Sequence, residues 1–405
     1  MSTRSKRILI VSQTFPPYTG VGGRRWAKFA KYLKRAGCKV HVVGADMKGK
    51  KKSPWSSDVR EIPLFTYTHR FPDALTKNPS NFIEKLAYRL WLGYLKLVSK
   101  GSPYDRAILD RGSFYQVFVE QMDAFKPDVV ISTGAPFRLL TYLAELIDAF
   151  PETQFIADFR DPWTWGESYG YANLSEKRLN FEKQLEAKVV SKFHYTTSPW
   201  PQIVERLQRL YPGAKQKIHL LPHAYDPDDF PAKLQPTKSD KHVLVFGGTI
   251  YHSLQDTLNE IIAFVKKHPQ NLTMEIYSGN LNKIHERGDG IKMHSQIPSL
   301  EFFEKAQQSH AIIFLIPEHA KDGVPTKLYE YAYLGRPIIA MGYRGKVSEF
   351  VEEKSLGIFV DNVSDLGKVD FDLFKVPAEP DWLVEYNYAH ITKSLLKLLN
   401  NGELE

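Results

Sequence analysis

Ala311-Ile-Ile-Phe-Leu-Ile316, followed by Pro-Glu-His-Ala-Lys-Asp322-Gly-Val-Pro-Thr-Lys-Leu-Tyr-Glu-Tyr-Ala-Tyr-Leu-Gly-Arg-Pro337 and Ile-Ile-Ala-Met-Gly342, decides the fold. The first six residues are apolar throughout, as in a strand covered on both faces. Pro325 suits a first helical turn, Gly335 a C-terminal cap, and Pro337 a position just beyond the stop. A second apolar strand follows at once. This strand–helix–strand pattern recurs after Arg7–Thr14, Lys39–Ala45, Asp128–Thr133, Gln154–Phe159, His242–Thr249 and Leu272–Ser278. Such alternation predicts an α/β protein with parallel, doubly wound sheets. Leu221–Lys241 is rich in Pro, Asp and Lys and has no sustained period, so it reads as an interdomain linker.

The chain of 405 residues therefore divides into a first domain at 1–221, a linker at 222–241, a second domain at 242–379 and a C-terminal segment at 380–405. Within that last segment Trp382–Leu399 reads as a helix, expected to pack back towards the first domain. With 43% hydrophobic and 25% charged residues, wholesale disorder and low-complexity classes are excluded. A single cysteine, Cys38, can form neither an internal disulfide nor a zinc cluster. Neither a signal peptide nor an apolar run of about 18 residues is seen, so a cytoplasmic location is expected.

Charge is distributed unevenly. Residues 1–100 carry 21 basic and 5 acidic side chains, whereas residues 201–405 carry a net −4. An anionic partner for the first half follows, either lipid headgroups or nucleic acid. No nucleic-acid module is recognisable, so a nucleic-acid partner is not expected. In Phe82–Lys100 an apolar stripe at helical spacing is flanked by Lys85, Arg89, Lys96 and Lys100. With Lys48–Lys52, that pattern suits a helix lying in a membrane interface. A core-facing helix shows the same period and is the preferred reading.

In open α/β sheets ligands bind beyond the carboxyl ends of strands, where helix N-termini present N–H groups. Four stretches stand there. Gly22, Gly23 and Arg24 lie where the first loop enters a helix, suiting either an anion site or a plain turn. Gly247, Gly248 and Thr249 end the second domain's first strand in the same way. Lys327, in the first turn of the short helix that Pro325 opens and Gly335 caps, opposes the helix dipole and so invites a phosphate, with Glu330 one turn on and able to accept from a ribose diol. The competing reading is a Lys–Glu surface pair. Finally, Asp158, Arg160 and Asp161 end a strand beside Trp163 and Trp165, with Thr133 at the same rim; this is either a polar site flanked by aromatic platforms or a buried ion pair.

Together, the paired domains, Pro16-Pro17…Gly22-Gly23, Asp158-Phe-Arg-Asp-Pro-Trp163, Pro222-His-Ala-Tyr-Asp-Pro-Asp-Asp-Phe230 and Pro325-Thr-Lys-Leu-Tyr-Glu-Tyr331…Gly335-Arg-Pro337 resemble the family 4 glycosyltransferases of GT-B fold. The resemblance implies two Rossmann-like domains facing across a cleft and a retaining transfer from a UDP- or GDP-sugar. The acceptor, a glycan or a lipid-linked one, would be held by the first domain through Gly22, Gly23, Arg24 and Thr133. The donor would be held by Gly247, Gly248, Thr249, Thr326, Lys327, Leu328 and Glu330. Asp158, Arg160, Asp161 and Asp322 take catalytic roles, Asp322 standing where the family commonly has a glutamate. No metal or other cofactor is expected, and Asp370-Phe-Asp372 is read as surface chemistry. Surface polysaccharide assembly on the inner membrane face would suit such a protein. Three rivals remain: a nucleotide-sugar sensor without turnover, a GT-B sugar-nucleotide epimerase, and a nucleic-acid binder.

Overall fold

A computed structural model describes residues 5–18, 20–47, 53–166, 171, 173–232, 240–370 and 380–402. Lys48–Lys52 and the second aspartate of Asp370-Phe-Asp372 lie outside them. The chain forms two compact units, one of Met1–Pro222 with Thr392–Glu405, the other of His223–Ile391.

The first unit is built on seven parallel strands: β1 Arg7–Val11, β2 Lys39–Asp46, β3 Leu64–Thr68, β4 Val129–Gly134, β5 Gln154–Phe159, β6 Tyr195–Ser198 and β7 Ile218–Leu220, in the order β3-β2-β1-β4-β5-β6-β7. The second holds six: β8 His242–Gly247, β9 Leu272–Tyr277, β10 Ile291–His294, β11 Ala311–Ile316, β12 Ile338–Gly342 and β13 Gly357–Phe359, in the order β10-β9-β8-β11-β12-β13. In each sheet the order reverses beside the unit's first strand, which opens a crevice at the carboxyl ends of β1 and β4, and again of β8 and β11. Helices α1 Arg24–Arg35, α2 Phe82–Val98, α3 Arg111–Phe125, α4 Phe137–Leu146, α5 Glu176–Lys192 and α6 Pro201–Leu210 belong to the first unit. The second has α7 Gln255–Lys267, α8 Ser299–Gln308, α9 Thr326–Leu334 and α10 Lys346–Glu353, and α11 Tyr388–Asn401 is the last helix among the described residues.

The apolar strand runs are the sheet cores: Ile8, Leu9, Ile10, Val129, Val130 and Ile131 are inaccessible in one unit, as are Leu244, Ala311 and Ile312 in the other. The short outer strands β3, β6, β7, β10 and β13 were not visible in the sequence, because three to five residues on a sheet flank carry too little periodic signal.

Two segments depart from expectation. The stretch read as a linker is partly built into the second unit: Tyr225 donates its N–H to Tyr386 O at 2.9 Å and accepts from Tyr388 N–H at 3.0 Å, while Phe230 stacks on Phe303 at 4.6 Å. Residues 233–239 of that stretch lie outside the described residues. The expected helix Trp382–Leu399 is broken, with a 3₁₀ turn over Asp381–Tyr386 preceding α11. The pairing of Tyr225 with the backbone on either side of Asn387 forces that break.

Buried charge is concentrated in the first unit. Glu182 pairs with Arg138 and accepts from Trp163 Nε1 at 2.9 Å. Glu186 accepts from Tyr211 O–H at 2.7 Å and Thr164 N–H at 3.2 Å, yet burial pushes its carboxyl up to about 7. The folded protein therefore holds this proton more tightly than the unfolded chain, so stability falls as pH rises from about 4.5 to about 7 and is flat above. Glu186→Gln, which keeps the neutral form, is expected to remove that slope and to raise stability at pH 8; urea unfolding from pH 4.5 to 8 checks it.

Candidate functional site

In the second unit the turn after β8 and the start of α9 meet. Lys327 Nζ donates to Gly247 O at 2.9 Å, which carries its ammonium across the crevice between β8 and β11. Gly248 sits at φ +144°, and a Cβ there would lie 2.6 Å from Lys327 Nζ, so only glycine admits the amine to this turn. A second cation stands at the turn's other end. Lys283 Nζ donates to Ile250 O at 2.9 Å, held by a neighbour, Asn280, whose side chain pairs with both backbone groups of Ile250 at 3.1 and 2.9 Å. The sequence pointed to no cation after β8, because Lys283 comes from beyond β9; the fold brings it back. Two ammonium groups bracket Gly247–Ile250 with the exposed Thr249 between them, a charge arrangement suited to a diphosphate.

The N–H groups here are less open than expected. Gly248 N–H donates to Tyr277 O at 3.0 Å and Leu328 N–H to Pro325 O at 3.0 Å. Leu328 also has its side chain in the core, so it offers neither backbone donor nor contact to a ligand, a correction to its assignment. Glu330 differs too. Lys327 is exposed, whereas Glu330, one turn on, is 4% exposed among Leu328, Tyr331 and Ala332. Most of α9 is embedded, with Lys327 exposed in its first turn and Tyr333 half-buried near its end, so a shared face does not mean shared exposure. Pro325 is the N-cap and lies one residue outside the helix. Thr326 opens the helix, and Asp322 is exposed in the preceding turn against Gly345.

The first unit's crevice holds a cavity of about 260 Å³ at the ends of β1 and β4. Gly22, Thr133 and Arg160 line it as expected from the sequence. Arg160 reaches in because Gly22 has no side chain; any Cβ there would collide with its guanidinium. Asp161 fixes the guanidinium, accepting from Nε at 3.0 Å and Nη2 at 2.9 Å, which makes it a positioning residue for Arg160. Tyr104, Arg106 and Tyr171 complete the wall; they come from loops far apart in sequence that carry no motif. Asp105 lines the same wall, its carboxyl raised by burial while it accepts from Phe137 N–H at 2.8 Å and Tyr171 O–H at 3.2 Å.

Two residues expected at this rim are elsewhere. Arg24 lies over the Trp55 ring, 5.7 Å from its centroid, and is not part of the cavity lining. Gly23 is buried, where a Cβ would meet Thr14 O at 2.6 Å, so it serves the turn. The larger correction concerns Asp158, which is wholly inaccessible. Its carboxylate accepts from Arg25 Nε and Nη2 at 3.2 Å each, Trp26 Nε1 at 2.8 Å, Thr197 O–H at 3.0 Å and Thr133 O–H at 3.2 Å. Arg25 continues to Leu221 O at 2.7 Å and Pro222 O at 2.9 Å. Sealed and fully engaged, Asp158 cannot act on a substrate; it is the buried ion pair of the competing reading.

No protein-family model matches the sequence, and no curated protein does. Solved structures do. A glycosyltransferase from Rickettsia africae aligns over 98% of both chains at 14% identity and TM-score 0.61. The N-terminal domain of Candida albicans trehalose-6-phosphate phosphatase aligns over 98% of this chain and 97% of its own at 12% identity and TM-score 0.64. The lipopolysaccharide outer core galactosyltransferase WaaB, in its apo form, aligns over 98% of this chain and all of its own at 12% identity and TM-score 0.58. The fold is GT-B. At such identities the likeness concerns architecture, and the chemistry of this GT-B chain rests on its own residues.

Proposed function

We propose that this chain is a retaining glycosyltransferase that moves a sugar from a UDP- or GDP-sugar to a glycan or lipid-linked acceptor, in the cytoplasm at the inner face of a membrane. The observation that carries this reading is the Lys327 ammonium laid across the Gly247–Gly248 turn at the crevice of the second sheet, with Lys283 at the turn's far end. In it, the two lysines neutralise the donor diphosphate, while Asp322 lies towards the transferring sugar.

The acceptor enters the first unit's cavity, where Arg160, held by Asp161, orients its hydroxyl and the buried Thr133 forms part of the wall. As the bond from the anomeric carbon to the diphosphate breaks, the acceptor oxygen bonds that carbon on the same face and its proton passes to the departing diphosphate. Catalysis is then positional and electrostatic.

Thermal unfolding with UDP, GDP and their sugars tests the donor site. A ligand at a hundred times its Kd stabilises by about 2.7 kcal/mol, so one nucleotide is expected to raise the melting temperature by several degrees. No shift with any nucleoside diphosphate removes the donor site; a shift with donor conversion in the absence of acceptor replaces transfer by epimerisation or hydrolysis. No helix among the described residues is long and apolar enough to cross a membrane.

A further inference from the structure

The exposed face of α2 takes no part in the donor and acceptor sites; the inference drawn from it deepens the membrane location in that reading, and its test does not depend on nucleotide binding. Of the fourteen large hydrophobic side chains exposed among the described residues, eight fall on this one helix: Phe82, Ile83, Leu86, Leu90, Trp91, Tyr94, Leu97 and Val98. Ile83 is 77% and Leu97 88% exposed, while Leu95 alone on the helix is fully buried. At about 100° per residue these eight span one continuous half of the helix surface, with Tyr88, Leu92 and Leu95 facing the protein opposite. The preference for a core-facing helix is therefore reversed: the apolar arc points outward.

The helix is firmly seated. Asn81 caps its N-terminus by accepting from Glu84 N–H at 2.9 Å. At the other end Arg178 donates to Lys96 O at 2.5 Å, Ser99 O at 2.8 Å and Gly101 O at 2.6 Å, so the carbonyls that close α2 are tied to α5. A contiguous apolar arc on a pinned helix marks a surface that something covers.

Charge identifies the covering. Lys85, Arg89 and Lys96 fall on one stripe beside the arc, all exposed, and Glu84 is the only acidic residue on the helix, occupied with Ser80 N–H at 2.7 Å and Ser80 O–H at 2.8 Å. The first hundred residues of the sequence, α2 included, carry 21 basic against 5 acidic groups. An apolar half bordered along one side by cations, with Trp91 at its other margin, has the chemistry of the water–lipid boundary. We infer that α2 docks this protein on an anionic lipid bilayer, its arc among the acyl chains and Lys85, Arg89 and Lys96 at the headgroups.

Sedimentation of the full chain with phosphatidylcholine vesicles, with and without phosphatidylglycerol, tests this. The chain is expected to pellet with the anionic vesicles and to be released by salt. The double variant Ile83→Glu with Leu97→Glu is expected to lose at least about tenfold in vesicle partition, with circular dichroism and melting unchanged because both sites face solvent. Lys85→Ala, Arg89→Ala and Lys96→Ala together are expected to abolish the preference for anionic vesicles. Equal pelleting of the wild type and the glutamate variant overturns the proposal. So does a concentration-dependent dimer of the wild type, seen by ultracentrifugation without lipid and abolished by that variant, which would assign the arc to a second copy.

Discussion

Asp158→Ala is expected to destabilise the first unit by about 3–5 kcal/mol, the largest loss of any single substitution considered. The carboxylate neutralises Arg25, whose side chain is 3% exposed, and also accepts from Trp26, Thr133 and Thr197. Removing it leaves a guanidinium buried without its counter-charge and two hydroxyls and an indole N–H short of an acceptor, in a place water cannot enter. The loss reaches further along the chain, because Arg25 also holds the carbonyls of Leu221 and Pro222 at the end of the first unit. Urea unfolding measures it, with Arg160→Ala as the control two residues away. Arg160 pairs with Asp161 near solvent and is expected to contribute no more than about 1 kcal/mol. Equal stability of the two variants would deny Asp158 its structural role and return it to the list of residues available for chemistry.

Lys327→Ala is expected to weaken nucleoside diphosphate binding by about 10- to 100-fold with folding intact, since a charge-assisted hydrogen bond to phosphate contributes roughly 1.5–3 kcal/mol. The side chain is exposed and donates to Gly247 O outside the helix, so its removal leaves the core of α9 unchanged. Lys283→Ala is expected to act in the same direction and less strongly, because that ammonium is half-buried. Calorimetric titration of UDP and GDP into each variant measures both. Unchanged affinity in Lys327→Ala would remove the diphosphate from this turn, whatever the fate of the transferase reading.

Much of the second unit was legible in residue order. Ala311–Ile316 is a buried strand, α9 starts within one residue of the position its proline suggested, and Gly335 closes it. Thr133 and Arg160 were read at one rim, being at the carboxyl ends of adjacent strands; that Gly22 joins them in one cavity lining is decided by the fold. The part that escaped shares one cause. Spacing reports which residues share a face of an element, and it is silent on what that face meets. Lys327 and Glu330 are one turn apart, yet one reaches solvent and the other is enclosed, because neighbouring elements cover most of α9 beyond its start. On α2 the same ambiguity resolved the other way.

By itself the amino-acid order determined two parallel α/β units, their principal strands and the loops at the strands' carboxyl ends, because strand cores and helix ends are written in local apolar runs and in Gly and Pro. Only the tertiary structure decided which polar groups are exposed and which are sealed. Asp158 became a buried anchor through Arg25, Trp26 and Thr197, Lys283 arrived at the β8 turn from beyond β9, and α2 turned its apolar half to solvent. Exposure and electrostatic partnership belong to residues remote in the chain, and those neighbours exist only once the sheets are assembled.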